Sequence, residues 1–327
     1  MRILYVAMRH DYGRPEQGSG YEHENFYGTL VQEGHKVDYF DFMQILHAEG
    51  RDALNRRLRE TAGQTRPDLV FCSIFEEEFD FDTIRSITDS GIVTFNWFAD
   101  DHWRFERFSK RWAPAFTWVG TTDSAAVAKY EAAGFKGALK TQWACNHFRY
   151  RKLDLPLKHD VSFVGMAHGD RPKLIGFLRE QGIDVVTYGS GWPEGRIDQD
   201  GMIALFNQSR INLNLSNSSI RPSFWKRLLY LFRGGGRTRQ IKGRNFEVPG
   251  CGGFLLTGVA DNLEAYYKLG SEVAIYEDRK DLLAKIRYYL SHESERSAVA
   301  LAGYRRTLDE HTYSRRFATL FRQMGLT

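Results

Sequence analysis

The sequence has no apolar run long enough for a membrane-spanning helix, which needs about 18 to 20 residues. It is also poor in cysteine: there are only 3 in 327 residues, and Cys72, Cys145 and Cys251 form no CxxC pair. A disulfide framework and a cysteine zinc site are therefore not expected. The opening apolar run is too short for a signal-peptide core. These absences predict a protein of the reducing cytoplasm with no bound metal.

Neither sign of charge dominates, since 45 Lys and Arg residues stand against 41 Asp and Glu residues, a formal net charge of +4. This weakly basic balance permits an anionic ligand but does not require nucleic acid. Hydrophobic residues make up 42% of the chain and charged residues 26%, which excludes wholesale disorder. The length is sufficient for two domains, each with its own core.

Strand-like apolar runs alternate with helical segments along the first half. The runs cover 2–8, 35–42, 67–75, 92–101, 116–124 and 138–146. The charged, proline-containing segment 147–160 is typical of a linker, and the same alternation then begins again. Alternation of this kind predicts parallel sheets covered by helices on both faces. We therefore predict an α/β fold of two tandem Rossmann-like domains, 1–150 and 151–327, with parallel sheets facing a central, ligand-binding cleft.

Three polar residues close the fourth predicted strand: Asp100, Asp101 and His102. Groups at the carboxyl end of a parallel strand point toward the predicted cleft. Adjacent carboxylates raise each other's pKa, which suits a general base or a hydroxyl-binding group. Capping of the next helix is the alternative interpretation, and the spacing does not decide which of the three would act as the base.

The loop after the first strand contains Gly18, Ser19 and Gly20 directly before a helix. Backbone N–H groups at such a helix start favour an anion, and glycine lets a ligand approach closely. The spacing is not GxGxxG, so the dinucleotide-binding pattern is absent. A flexible turn is the alternative interpretation.

Further candidates follow strands of the second half and could bind a nucleoside diphosphate. Arg171 and Lys173 stand at a helix start, where they could bind the diphosphate by charge. The remaining candidates are Tyr188, Gly189 and Trp192, which could form a slot for a flat base, and the hydroxyls of Ser216 and Ser219. The alternatives are a solvated helix end and a surface turn.

The segment GRNFEVPGCGGFLLTG (243–258) places Glu247 ahead of a glycine-rich turn that includes Gly252. A carboxylate at this position can accept hydrogen bonds from both hydroxyls of a ribose. Arg244 could neutralise the charge of a phosphate. A Glu–Arg pair at a helix end is the alternative interpretation.

Residues 220–244 contain eight Lys or Arg and no Asp or Glu. The sequence SFWKRLLYLFR within them predicts a basic amphipathic helix, with one apolar face. Phe224, Trp225, Leu228, Leu229 and Phe232 form that face. Such a helix could contact an anionic membrane surface peripherally or bind an acidic acceptor. Packing on the second domain is the alternative.

The stretches RNFEVPGCGGFLLT, EVAIYEDRKDLLAKIRYYLSHESER and AGYRRTLDEHTYSRR, with WFADDHW in the first half, resemble GT-B glycosyltransferases. The resemblance is closest to the CgeB-like group of bacterial family 1-type enzymes and is strongest over 160–316. It implies transfer of a sugar from a nucleotide-diphosphate donor to an acceptor hydroxyl, with no obligatory metal and no cofactor besides this co-substrate.

The resemblance also assigns roles to single residues. Glu247 resembles a glutamate that contacts the donor ribose, and Arg171 and Lys173 stand near the family's diphosphate-binding residues. Related retaining enzymes carry a second glutamate eight positions before Glu247, where this chain has Arg239. Retention and inversion of the sugar configuration therefore both stay open.

Three other functions remain possible at this stage. One is a non-catalytic nucleotide-sugar or glycan-binding protein, favoured by Arg239 in place of a glutamate. Another is a glycosyltransferase acting on modified bases in DNA, suggested by the basic segment. The third is an epimerase of nucleotide sugars on the same fold. The acceptor could be a glycan, a protein or a small molecule.

Overall fold

A computed structural model describes residues 1–216 and 239–326. The chain divides into two compact units. Unit 1 comprises Met1–Phe148 together with the residues from Tyr313 onward, and unit 2 comprises Arg149–Thr312. In the part of the chain that is described, no helix is both long and apolar enough to cross a membrane.

Unit 1 is built on a six-stranded sheet in which every strand pairing is parallel. Its strands are β1 (Arg2–Ala7), β2 (Lys36–Asp41), β3 (Leu69–Cys72), β4 (Val93–Phe98), β5 (Trp118–Thr121) and β6 (Ala138–Lys140). The order across the sheet is β2-β1-β3-β4-β5-β6. Most of these strands are apolar on both faces because helices cover both. All six lie within the predicted segments.

The helices of unit 1 precede or follow these strands. They are α1 (Gly28–Gln32), α2 (Phe42–Thr65), α3 (Phe81–Asp89), α4 (Asp101–Arg104), α5 (Lys110–Trp112) and α6 (Ala126–Ala132). Two π-helical segments, His23–Tyr27 and Phe105–Ser109, run directly into α1 and α5. Helix α2 has a kink at Gly50, whose φ of 82° only glycine adopts readily.

Unit 2 contains a five-stranded parallel sheet. Its strands are β7 (His159–Val164), β8 (Val185–Tyr188), β9 (Ser209–Asn214), β10 (Leu255–Gly258) and β11 (Ala274–Tyr276), in the order β11-β10-β9-β7-β8. Its helices are α7 (Arg171–Glu180), α8 (Gln199–Gln208), α9 (Arg244–Gly250), α10 (Arg279–Ser291) and α11 (Glu293–Glu310).

The last helix, α12 (Tyr313–Gln323), belongs to unit 1, whereas the sequence prediction placed it with the second domain. Its aromatic side chains at four-residue spacing, Tyr313, Phe317 and Phe321, are buried. They pack in one core with Phe26 and Phe71 of unit 1. One face of the first sheet is therefore covered by a helix that is remote from it in sequence.

Candidate functional site

The carboxyl edge of the unit 2 sheet holds a fixed arginine. Arg171 begins α7 and donates from Nη1 to the carbonyl of Met166 (3.0 Å) and from Nη2 to that of Leu215 (3.1 Å). Met166 follows β7 and Leu215 follows β9, so the guanidinium lies between the ends of two adjacent strands. Burial lowers the pKa of Arg171 to about 10, which still leaves it charged near neutral pH.

Other cationic groups lie around Arg171. The pKa of His168 is lowered by burial and then by the charges of Arg171 and Lys242. Burial raises the pKa of Tyr276, at the end of β11, while Arg171 and Arg239 oppose the rise. Among the described residues whose charges shift the pKa of His168 or Arg171, none is a carboxylate. This edge therefore suits an anionic ligand.

A buried amide and hydroxyl network fixes the start of α9 at the same edge. Asn214, the last residue of β9, donates to Asn245 Oδ1 and to Thr257 Oγ1, both at 3.0 Å. The backbone N–H of Lys242 also donates to Asn245 Oδ1 (2.9 Å). Arg244, beside Asn245 in the first turn of α9, is thereby held at the carboxyl ends of β9 and β10.

Glu247 is fully buried, one turn after Arg244. The hydroxyl of Tyr150 donates to its Oε1 atom (2.8 Å), and Nη1 of Arg244 forms an ion pair with its Oε2 atom. Burial raises the pKa of Tyr150, and the neighbouring charge of Glu247 adds to this. The structure thus contains the Glu–Arg pair that was the alternative interpretation, and a ribose-binding role stays a prediction.

The predicted base slot is a tightly closed turn. Trp192 donates from Nε1 to the carbonyl of Gly165 (2.7 Å) and packs edge-on against Phe163. Gly189, after the half-buried Tyr188, has a φ of 136°, and a Cβ atom there would lie 2.4 Å from the carbonyl oxygen of Gly165. The turn therefore requires glycine because β7 and β8 end in close contact.

The remaining donor candidates are distributed differently. Lys173 is exposed on the first turn of α7. Ser216 is 3% exposed and donates its hydroxyl to the carbonyl of Gly258 (2.8 Å), so it links β9 to β10. Ser219 and residues 220–238 of the predicted basic segment lie outside the described residues, whereas Arg239, Lys242 and Arg244 are at the carboxyl edge.

Gly252 is not placed with these residues. It has a φ of 73° directly after α9 and donates its N–H to the carbonyl of Pro249 (2.8 Å). Because α9 runs back toward the start of β10, this position is at the amino edge of the sheet, beside Lys152. Its glycine terminates a helix, as left-handed C-terminal positions commonly require.

In unit 1, the three candidates after β4 have different surroundings. Asp101 is 1% exposed and accepts a hydrogen bond from the hydroxyl of Tyr130 (2.9 Å). Burial raises the pKa of Asp101, while bonds from Ser109, Thr121 and Tyr130 oppose the rise. Asp100 and His102 are only half-buried. The structure therefore favours Asp100 or His102 over Asp101 as a group that meets a ligand.

Glu22 is a residue that the sequence analysis did not select. Its pKa is raised to about 7, chiefly by burial and also by the charges of Asp11 and Asp100. Asp11 follows β1 and Asp100 follows β4, so three carboxylates gather at the carboxyl edge of the first sheet. A carboxyl group with a pKa near neutrality can exchange a proton during turnover. The signal in the sequence was its position next to the Gly18–Gly20 loop.

That loop folds back on the chain before it. Gly20 donates its N–H to the carbonyl of Arg9 (2.8 Å), and Asp11 donates to that of Gly18 (3.1 Å). Gly18 and Ser19 are exposed, and Gly20 is buried. Since the Gly20 amide already has a protein acceptor, anion binding by the loop stays a prediction.

Aromatic side chains also meet at this edge of unit 1. Tyr12 and Trp103 are each 47% exposed. The ring of Tyr12 lies 5.7 Å from that of Phe75, and the guanidinium of Arg104 lies 5.7 Å from Phe75 and 5.6 Å from Trp103. These residues follow three neighbouring strands, β1, β3 and β4. The sequence analysis did not connect them because they come from separate loops.

Comparison with known proteins bears on the enzyme class and on the fold. Residues 171–322 match the family model described as "Glycosyl transferase-like". The search of curated proteins finds no match. The family match confirms the predicted enzyme class, a glycosyltransferase, while membership of the CgeB-like group stays a prediction.

Several solved structures resemble the whole chain. Sucrose-phosphate synthase from Thermosynechococcus elongatus has a TM-score of 0.63 at 10% identity, covering 99% of this chain and 98% of that one. HepE of Anabaena in complex with UDP-glucose has a TM-score of 0.65 at 10% identity over 100% of both chains. AviGT4, a glycosyltransferase involved in avilamycin A biosynthesis, has a TM-score of 0.58 at 15% identity over 98% of both. These likenesses confirm the predicted GT-B fold.

Proposed function

Starting from the glycosyltransferase-like family match over residues 171–322, we propose that this chain transfers a sugar from a nucleoside-diphosphate sugar to an acceptor hydroxyl. The observation that carries the proposal is the cationic edge of unit 2, where Arg171 is held between two strand ends. A diphosphate carries several negative charges, which this group of cations would bind by charge and directional hydrogen bonds.

A uridine diphosphate sugar is the first donor to test, because HepE of Anabaena, which shares the fold, was solved with UDP-glucose. In this proposal the diphosphate contacts Arg171 and Arg244, with Arg239 and Lys242 nearby and Lys173 at the rim. The predicted position of the base, beside Tyr188, Gly189 and Trp192, belongs to the same proposal.

The reaction breaks the bond between the anomeric carbon and the diphosphate oxygen, and the diphosphate leaves with the electron pair. The acceptor oxygen forms the new bond to the anomeric carbon and loses its proton. Cations fixed before the reaction stabilise the charge that develops on the leaving group. We assign this role to the arginines of the chain and invoke no metal or other cofactor.

We assign the acceptor to unit 1, where Asp100 would orient its hydroxyl and Glu22 would take up the proton. A pKa near 7 suits Glu22 to this exchange at neutral pH. The exposed rings of Tyr12 and Trp103 are suited to contact with the apolar face of an acceptor. We expect the protein to act in the cytoplasm, with peripheral membrane contact through 220–244 as a further proposal.

The test measures release of nucleoside diphosphate from a panel of donor sugars, with and without candidate acceptors. Arg171→Ala should lower nucleotide affinity and turnover at least tenfold. This change corresponds to about the free energy of one lost hydrogen bond to a charged group. Arg287→Ala, a surface arginine of α10, is the matched control and should leave both unchanged. Each variant is first checked for an unaltered melting temperature.

The outcomes separate the rival functions. Binding of a nucleoside diphosphate without any turnover would support a non-catalytic sugar-nucleotide-binding protein. Conversion of the donor sugar with no acceptor present would support an epimerase. Failure of every nucleoside diphosphate to bind would overturn the proposal.

A further inference from the structure

The side chain of Gln240 is buried among the cations at the carboxyl edge of unit 2. It is 4% exposed and belongs to the segment that leads into α9. The backbone on both sides of it is fixed. The N–H of Asp261, after β10, donates to the carbonyl of Arg239 (2.7 Å). The N–H of Lys242 donates to Oδ1 of Asn245 (2.9 Å). The Gln240 amide is therefore held close to the end of β10.

One end of this amide has a protein partner and the other has none. Nζ of Lys242 donates to Oε1 of Gln240 (2.7 Å). Among the residues that the structure describes, no atom accepts a hydrogen bond from Nε2 of Gln240, although this nitrogen is buried. The two ends of the amide cannot be exchanged, because an ammonium group only donates and must face the oxygen.

A buried amide nitrogen without an acceptor is unfavourable for the folded protein. It gives up its hydrogen bonds to water and gains none from the protein in return. Buried polar groups therefore nearly always have partners, and an exception calls for a specific explanation. An apolar side chain of similar length, such as methionine, would fill the same space without this penalty. The open donor of Gln240 therefore points to an acceptor on a ligand.

The surroundings of Gln240 favour a negatively charged acceptor. Arg239 directly precedes it, and Lys242 contacts its oxygen. The pKa of His168 is lowered by burial and then by the charges of Arg171 and Lys242, so both cations lie near the same histidine. An ammonium group on the amide oxygen also strengthens donation from the amide nitrogen, because hydrogen bonds in a chain polarise one another. The acceptor that fits best is a phosphate oxygen.

We propose that Gln240 binds the diphosphate of the sugar donor, with Nε2 donating to a phosphate oxygen while Lys242 holds Oε1. This inference rests on the proposed function, because it assumes that unit 2 binds a nucleoside diphosphate. It adds a neutral and directional donor to a site whose other proposed contacts are charged. Because Gln240 touches the leaving group, its hydrogen bond strengthens as charge develops on the diphosphate.

A ligand-binding role and a structural role predict different effects of Gln240→Met. If the amide served only the fold, the substitution would lower the melting temperature and leave nucleotide affinity unchanged in the folded variant. If the amide binds phosphate, the substitution removes an unsatisfied donor from the ligand-free protein. The melting temperature should then stay the same or rise, while the affinity for a diphosphate falls.

The experiment measures affinities for UDP, UDP-glucose and uridine by titration calorimetry, together with the melting temperature of each ligand-free protein. We expect Gln240→Met to weaken the binding of UDP and UDP-glucose about tenfold, and that of uridine less than about twofold. Gln240→Glu keeps an oxygen for Lys242 but replaces the donor with a carboxylate. It should weaken UDP binding more than Gln240→Met does, because its charge repels the diphosphate.

A matched control and a further variant complete the set. Gln181 directly follows α7 at the amino edge of the sheet and is exposed, so Gln181→Met should leave all three affinities unchanged. Should Gln240→Met fail to fold, Gln240→Asn takes its place. It keeps the amide but shortens the side chain by one methylene, which moves the donor away from the ligand and should also weaken UDP binding.

Three results would overturn the inference. One is an unchanged UDP affinity in both Gln240→Met and Gln240→Glu, which is expected if Nε2 only binds water. Another is a loss of affinity for UDP-glucose but not for UDP, which would place the contact on the sugar. The third is an equal loss for uridine and UDP. These results leave the proposed function intact, whereas a wild-type protein that binds no nucleoside diphosphate would overturn that function as well.

Discussion

The hydroxyl of Tyr130 donates a 2.9 Å hydrogen bond to Oδ2 of Asp101 inside unit 1, although Asp101 stands next to the half-buried Asp100. Two adjacent carboxylates that both follow β4 thus have different surroundings. The first residue of α4 turns into the core, and the residue before it remains at the carboxyl edge. Sequence alone does not distinguish them because one is the first residue of the helix and the other directly precedes it.

Asp101→Ala should lower the free energy of unfolding by about 1–3 kcal/mol, because it leaves the buried hydroxyl of Tyr130 without its acceptor. Asp100→Asn should change the melting temperature little and should lower the rate of sugar transfer. Thermal melts and initial rates of the two variants check this contrast. Equal destabilisation by both would contradict the difference in their surroundings.

Glu22 should make stability depend on pH. Its pKa rises from 4.5 to about 7 on folding, chiefly because of burial, with Asp11 and Asp100 adding to the rise. The folded state therefore binds more protons than the unfolded state, and the stabilising contribution is complete below about pH 4.5 and lost as pH rises through about 7.

Glu22→Gln removes this titration. The difference in melting temperature between wild type and Glu22→Gln should grow, to the disadvantage of the wild type, from pH 5 to pH 8. Glu16→Gln, on the same loop and exposed, serves as the control. A difference that stays constant across this range would show that Glu22 does not titrate there.

The strands could be predicted from the sequence because each is a short apolar run between turn residues, and the six strands of unit 1 lie within the predicted segments. The unit in which α12 packs could not be predicted, because its aromatic face is compatible with burial in either unit. Its partners Phe26 and Phe71 precede Phe317 by 291 and 246 residues, and a periodic pattern indicates only that some partner exists.

The candidate site was only partly predictable for a related reason. Arg171 was selected because it stands at a helix start, and Arg244 because it belongs to the motif that contains Glu247, and both are local information. Glu22, and the contacts among Tyr12, Phe75 and Trp103, depend on which strands are neighbours in the sheet. Gly252 was assigned to the donor site because its motif includes Glu247. However, α9 runs from the carboxyl edge of the sheet to the amino edge, and Gly252 follows its last residue.

Gly189→Ala should destabilise unit 2 by about 2 kcal/mol or more. Its φ is 136°, and the added Cβ atom would lie 2.4 Å from the backbone oxygen of Gly165, which cannot move away without separating β7 from β8. Gly182→Ala is the control, because its φ of 79° is similarly unfavourable but no atom lies within 4 Å. Its expected cost is about 1 kcal/mol, and denaturant unfolding of both variants gives the difference.

Phe317→Ala should lower the free energy of unfolding by about 3–5 kcal/mol. The side chain is 2% exposed and packs against Phe26 and Phe71. Arg322→Ala, on the exposed face of the same helix, should change stability by less than about 0.5 kcal/mol. If chemical denaturation gave equal values for the two variants, α12 would not be part of the unit 1 core.

Trp103→Ala should separate acceptor use from donor binding. The ring is 47% exposed beside Arg104 and, with Tyr12, forms the aromatic part of the unit 1 edge. Its removal should raise the KM for the acceptor about tenfold, which corresponds to the free energy of one lost aromatic contact. UDP affinity should stay unchanged, since the donor is assigned to unit 2. Phe81→Ala, a 37% exposed aromatic residue at the start of α3, is the control. Were Trp103→Ala to weaken UDP binding and leave the acceptor KM unaltered, the assignment of the two substrates to the two units would have to be reversed.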